Sequence, residues 1–353
     1  VRPRGAWLYA REETPAQRAL RAPLTLASGL YGAGARLHRA AYRRGWLRAR
    51  RLSCTVVSVG NLTAGGSGKT PLAAWLAHGL RQRGYKVALA SRGYGGRGRA
   101  RVQVVSDGHR VQAAVSEAGD EPLLLAAHAP GVPVLVGADR SVVGLRAISL
   151  FGADVLVLDD GFQHHRLSRD VDVVVMDGRL GFGNGRLLPR GPLREPLAAL
   201  AHAHAVGVVD GPLPAADARR LEVVAPEARR FRARRRPVGV RPLRGGAPEP
   251  VETLRGVDVG IVAGIARPDS LRATLTEAGA RVVAERAFPD HHRYTARDLE
   301  GLTAATPVWV TTEKDAVKIL PAWVGDADVR VLVIDLAVEE GGAFLDWVEG
   351  RLR

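Results

Sequence analysis

A run of apolar strand residues, Cys54-Thr55-Val56-Val57-Ser58-Val59-Gly60, is followed closely by Gly65-Gly66-Ser67-Gly68-Lys69-Thr70, which opens a helical pattern reaching about Arg83. No other feature restricts the fold as much. A buried strand ending in a glycine-rich turn at a helix start aims several backbone N–H groups at one point. The helix N-terminus adds partial positive charge there. In such loops the lysine reaches phosphate oxygens and the following hydroxyl ligates Mg²⁺. The candidate nucleotide contacts are therefore Thr63, Ala64, Gly65, Gly66, Ser67, Gly68, Lys69 and Thr70. The loop is a variant, because Thr63 stands where the usual pattern has its first glycine.

Strand and helix patterns alternate through the rest of the chain. Strands are expected at 86–91, 102–106, 132–137, 154–159, 172–177 and 205–210, and again at 258–266, 281–288, 307–312 and 329–336. Helices are expected near 268–278, 295–302 and 342–352. The strand runs are almost continuously apolar, which indicates a mainly parallel sheet covered on both faces. Val155-Leu156-Val157-Leu158-Asp159-Asp160 ends a strand in two acids, so Asp159 and Asp160 join Thr70 as candidate Mg²⁺ ligands. The fold class read from these patterns is α/β. A P-loop NTPase-like parallel core is joined by a hinge to a second, smaller α/β domain, with amphipathic helices in front. The boundaries are 1–51, 52–210, 211–256 (a Pro-, Arg- and Gly-rich hinge with a strand or two) and 257–353.

Composition bears on the partners. The chain of 353 residues carries a net charge of +15, and residues 1–51 hold twelve arginines against two acids, a net of +10. In that segment Leu20, Leu24, Ala27, Leu30, Tyr31 and Leu37 fall near one helical face, with arginines around it. This suits an interfacial helix meeting an anionic membrane, or a helix covering the adjacent core. No uncharged apolar run reaches the roughly 18–20 residues that span a bilayer, and no signal peptide is expected. The single Cys54 excludes an intramolecular disulfide. Nucleic acid is not an expected partner, since the basic segment lacks interleaved aromatics.

Further polar motifs follow the loop. GNLTAGGSGKTP, SRGYGG, GDEP, VGADR, DDGFQHH, LLPRGPLREP, FPDHHRY and TTEKDAVK occur in that order. Together they closely resemble the tetraacyldisaccharide 4'-kinase family of lipid A synthesis, from about residue 5 to the end. Thr63 in the loop is typical of that family. The resemblance implies transfer of the γ-phosphate of ATP, with Mg²⁺, to the 4'-hydroxyl of an acylated glucosamine disaccharide 1-phosphate. It also implies a peripheral location at the cytoplasmic face of the bacterial inner membrane. It assigns Asp120 as general base, with His291 as its partner (His292 stays open as the alternative) and Lys69 beside the phosphates. Arg92, Tyr94, Gln163, His164, Arg190 and Arg194 become candidate substrate contacts. Glu313, Lys314 and Asp315 are expected on the nucleotide side of the cleft, and a monomer is the favoured state. The competing reading is a membrane-associated regulatory ATPase resembling the partitioning ATPases. Those carry a signature lysine just before the two glycines, where this chain has Ala64.

Overall fold

The computed structural model describes residues 6–352 apart from 97, 99, 266 and 267, so the last residue of the expected 258–266 strand lies outside the described residues. Among the described residues, twelve strands form one sheet. They are β1 (Thr55–Asn61), β2 (Val87–Ser91), β3 (Gln103–Ser106), β4 (Val134–Val136), β5 (Val155–Asp159), β6 (Val171–Asp177), β7 (Ala205–Val209), β8 (Arg229–Pro242), β9 (Asp258–Ala263), β10 (Arg281–Ala287), β11 (Val308–Thr312) and β12 (Asp328–Val338). Their order is β10-β9-β11-β12-β8-β7-β6-β1-β5-β2-β4-β3. Strands β3 with β4 and β8 with β12 run antiparallel, and the other neighbours run parallel.

Every residue of β1 is buried, because side chains alternate between two covered faces. Val57 and Val59 pack with Leu72, Leu76 and Leu80 of the helix Lys69–Gln82. Val56 points the other way, toward Val143 and Ala147 of the helix Arg140–Phe151. β1 lies between β5 and β6; its own connection runs to β2 on the β5 side, while β5 connects to β6 on the other side, and at such a reversal a crevice opens at the strands' carboxyl ends. The phosphate loop occupies that crevice.

Residues 211–256 hold more regular structure than a strand or two. The helix Ala215–Val224, β8 and a 3₁₀ turn at Val251–Leu254 all fall there. β8 pairs with β7 through Arg229 to Ala233 and with β12 from Ala233 to Pro242. One strand therefore belongs to both halves of the sheet. The helix expected near 295–302 is instead two 3₁₀ turns, Ala296–Leu299 and Leu302–Ala304. Gly301 between them has φ 66°, a left-handed conformation that breaks a continuous helix.

The N-terminal segment contains the helices Pro15–Leu20 and Ala22–Arg43. The longer helix docks through small residues, with Ser28 and Gly32 buried. The Ser28 hydroxyl donates to the Leu187 carbonyl at 2.8 Å, and a Cβ on Gly32 would collide with Leu187. Leu26, Leu30 and Leu37 stay exposed. Among the described residues, no helix is long and apolar enough to cross a membrane.

Candidate active site

The phosphate loop is held from several sides. Asn61, at the end of β1, donates its side-chain amide to the carbonyls of Thr63 (2.6 Å) and Gly65 (3.3 Å). The Ala64 N–H donates to the Pro192 carbonyl at 2.7 Å, so the 186–194 loop braces it. Gly68 precedes the helix with φ 89° and lies against Val209, leaving little room for a side chain.

Lys69 is only 9% exposed. Burial opposes its charge, but Asp160, Glu121 and Asp159 outweigh burial and hold its pKa above the ordinary value. Asp159 is fully buried, and burial pushes its carboxyl up to about 7 despite Lys69. Its described side-chain hydrogen bonds come from the Thr70 hydroxyl, at 3.2 and 3.4 Å. A buried carboxylate so sparsely supplied with donors suits a cation. Among the described residues, no group of three or more acids, histidines or cysteines forms a self-sufficient metal cage. Asp160, in the left-handed region at φ 57°, instead meets Arg194 at 2.8 Å.

Asp120 opens the helix Asp120–His128 and is 5% exposed. Its Oδ2 lies 3.0 Å from His291 Nδ1. This pair joins the two halves of the sheet, because His291 lies between β10 and β11. His291 adopts φ 59°, a rare conformation for a residue with a side chain. Lys314 Nζ lies 3.2 Å from His291 Nε2 and 2.8 Å from Asp290. An ammonium can only donate, so in the neutral imidazole this contact places the proton on Nδ1, and in the charged form Nδ1 also carries a proton toward Asp120. Burial raises the Asp120 pKa, but the His291 hydrogen bond and the charges of His291, Lys314 and Lys318 bring it below the ordinary value. The Asp120 hydrogen bond in turn raises His291.

The open choice between the two histidines is answered by contact. His292 pairs with Asp298 at 3.3 Å and stacks on Phe288, so it is His291 that meets Asp120. Tyr94 is 66% exposed, its ring edge-on to His291 at 5.9 Å; Arg92 is exposed and acts electrostatically on Arg140. Gln163 donates to the Asn61 carbonyl at 2.9 Å. His164 is pulled down to about 4 by burial and then Arg140, which keeps it neutral at pH 7. Arg190 is 1% exposed, its guanidinium on the Glu13 carboxylate (2.7 Å) and the Thr25 hydroxyl (3.2 Å). The structure thus gathers Lys69, Thr70, Asp159, Asp160 and Arg194 at the loop and Tyr94 and Lys314 around the Asp120–His291 pair, while Arg190 sits apart. Glu313 contacts His128 at 3.1 Å rather than the loop. Sequence reasoning missed Glu121 and Arg140, although both stand inside quoted motifs. It also missed Lys318, 3.9 Å from Asp120.

A sequence model described as tetraacyldisaccharide-1-P 4'-kinase (LpxK) matches residues 20–353. A tetraacyldisaccharide 4'-kinase of Anaeromyxobacter sp. is 46% identical over 94% of this chain and 92% of its own. One from Syntrophus aciditrophicus is 43% identical over 88% of each chain. A crystal structure of LpxK from Aquifex aeolicus in complex with ATP is similar at a TM-score of 0.77 and 29% identity, covering 95% of this chain and 100% of that one. With a variant phosphate loop, a paired acid strand and an Asp–His contact across one sheet, the chain belongs to the tetraacyldisaccharide-1-phosphate 4'-kinase family.

Proposed function

We propose that this chain transfers the γ-phosphoryl group of ATP to the 4'-hydroxyl of a tetraacylated glucosamine disaccharide 1-phosphate. The observation that carries this reading, beyond family membership, is the buried Asp120 carboxylate 3.0 Å from His291, one residue from Glu121, which acts electrostatically on Lys69 and Asp159. A base is thereby set beside a phosphate cradle. Asp120 accepts the hydroxyl proton as the sugar oxygen bonds to phosphorus. The bond to the β–γ bridging oxygen breaks, and ADP leaves. His291 and the two lysines keep Asp120 ionised. Lys69 and the backbone N–H groups of the loop neutralise phosphate charge. Thr70 and Asp159 would hold Mg²⁺, which would supply further neutralisation of phosphate charge. Arg92, Tyr94, His164 and Arg194 form the proposed sugar-phosphate side. Residues 211–256, through β8, connect the nucleotide half to the half that carries His291, and closure over substrate is proposed to run through them.

Incubation with labelled ATP and acylated disaccharide 1-phosphate in mixed micelles tests the reading. Label is expected on the lipid, with no stimulation of phosphate release by DNA. Phosphate release without any labelled lipid would instead favour a regulatory ATPase.

We also infer a peripheral membrane position for the N-terminal helix. Leu20, Leu26, Leu30 and Leu37 are 82%, 72%, 70% and 64% exposed, and Arg18, Arg36 and Arg43 lie on the same segment. Exposed leucines among arginines suit a headgroup–acyl boundary. Replacing Leu26 and Leu30 together by serine is expected to weaken binding to anionic liposomes by about tenfold or more. Sedimentation with vesicles checks this, and unchanged partitioning would remove the membrane role.

A further inference from the structure

Residues 6–19 precede the stretch that the family model matches, yet they touch the phosphate loop. The Tyr9 hydroxyl donates to the carbonyl of Ala64 and lies 3.1 Å from where a Cβ on Gly65 would stand. Gly65 has φ 113°, so this is a stretch of loop that accepts no ordinary side chain. The Tyr9 ring covers Gly183, beside Pro192, whose carbonyl receives the Ala64 N–H. Tyr9 and Pro192 thus hold the carbonyl and the N–H of one loop residue, Ala64, from two sides.

The segment is fastened further along. Arg11 pairs with Asp217 at 2.6 Å, and Asp217, fully buried, also accepts the Phe182 N–H at 3.0 Å. Glu13 bridges Arg190 and Arg21, each at 2.7 Å. The Arg21 guanidinium lies 5.1 Å from the Trp7 ring. Three successive anchors, Tyr9, Arg11 and Glu13, therefore tie the segment to the phosphate loop, the 177–185 turn and the 186–194 loop.

We propose that residues 6–13 form a strap in which Tyr9 is a positioning residue for the nucleotide, presetting the Ala64–Gly65 backbone for phosphate. The inference rests on the nucleotide reading of the loop. The strap fixes the carbonyl of Ala64, so the following N–H groups face the crevice before ATP arrives. Without the hydroxyl that peptide can rotate, and ordering it falls to ATP binding.

Tyr9→Phe keeps the ring and deletes the bond. In the full chain it is expected to raise the MgATP dissociation constant, measured by calorimetry, about fivefold, and the KM for ATP in parallel. The KM for the lipid is expected to move less than about twofold. Arg11→Ala, which loosens the same strap at Asp217, shifts ATP affinity in the same direction, and the two variants melt as single transitions. Tyr9→Phe with wild-type ATP affinity overturns the proposal, even if Tyr9→Ala weakens binding, because ring packing then accounts for the contact. A wild-type chain that bound no MgATP would overturn the nucleotide reading and this inference together. Wild-type binding matched by Tyr9→Phe overturns only the strap.

Discussion

Asp120→Asn is expected to lower kcat for lipid phosphorylation by about 10²–10⁴-fold, while MgATP affinity changes by less than about threefold. Asparagine preserves shape and a hydrogen bond to His291 but accepts no proton. The carboxylate contacts His291 rather than the phosphate loop, so nucleotide binding is largely spared. Turnover within tenfold of wild type would remove Asp120 from the base role. A companion measurement fixes the partner. His291 supplies the largest downward pulls on the Asp120 pKa, and burial opposes them. His291→Gln leaves burial in place and removes the imidazole, so the Asp120 pKa rises. A base must be ionised to work, and the acidic limb of the pH–rate profile therefore moves to higher pH. A limb that stayed in place would leave His291 without this function.

Lys69→Ala is expected to weaken MgATP binding and reduce kcat, each by roughly 10²-fold, since one preorganised cation aimed at the transferring group is lost. It has a second consequence in nucleotide-free protein. Lys69 is the main counter-charge holding down Asp159, which burial already pushes to about 7. Without the lysine the Asp159 pKa goes higher still. A carboxyl whose folded pKa exceeds its unfolded value loses stability as pH rises toward the folded pKa. The melting deficit of Lys69→Ala relative to wild type should therefore be larger at pH 8 than at pH 6. Thermal melts in metal-free buffer check this, and an equal deficit at both values would show that Lys69 does not neutralise Asp159.

Much of the nucleotide half was legible because its signals are local. A valine-rich strand, a glycine-rich turn and a helix start are contiguous, so β1, the loop and the helix Lys69–Gln82 follow from one stretch of sequence. β5 with Asp159 is equally contiguous. The Asp120–His291 contact is not, and only the family resemblance pointed to it. The sheet must bring residues 171 positions apart within 3.0 Å, and no periodicity encodes that. Arg190 shows the opposite difficulty. An arginine in a proline-rich loop reads as a phosphate binder until Glu13 is found on it, and nothing near Glu13 announces the pairing. The helix Ala215–Val224 falls inside the Pro-, Arg- and Gly-rich stretch that reads as a hinge with a strand or two.

The sharing of β8 bears on how the chain can be divided. A cut near residue 256 follows the sequence boundary, yet it would strip β8 of β12 along the stretch from Ala233 to Pro242. The first fragment would carry a long bare edge of unpaired N–H and C=O groups. The second would carry the complementary edge of β12. Such edges recruit other chains. Fragments made there are set up to aggregate or to re-pair with each other, and the two halves gain solubility from being translated as one.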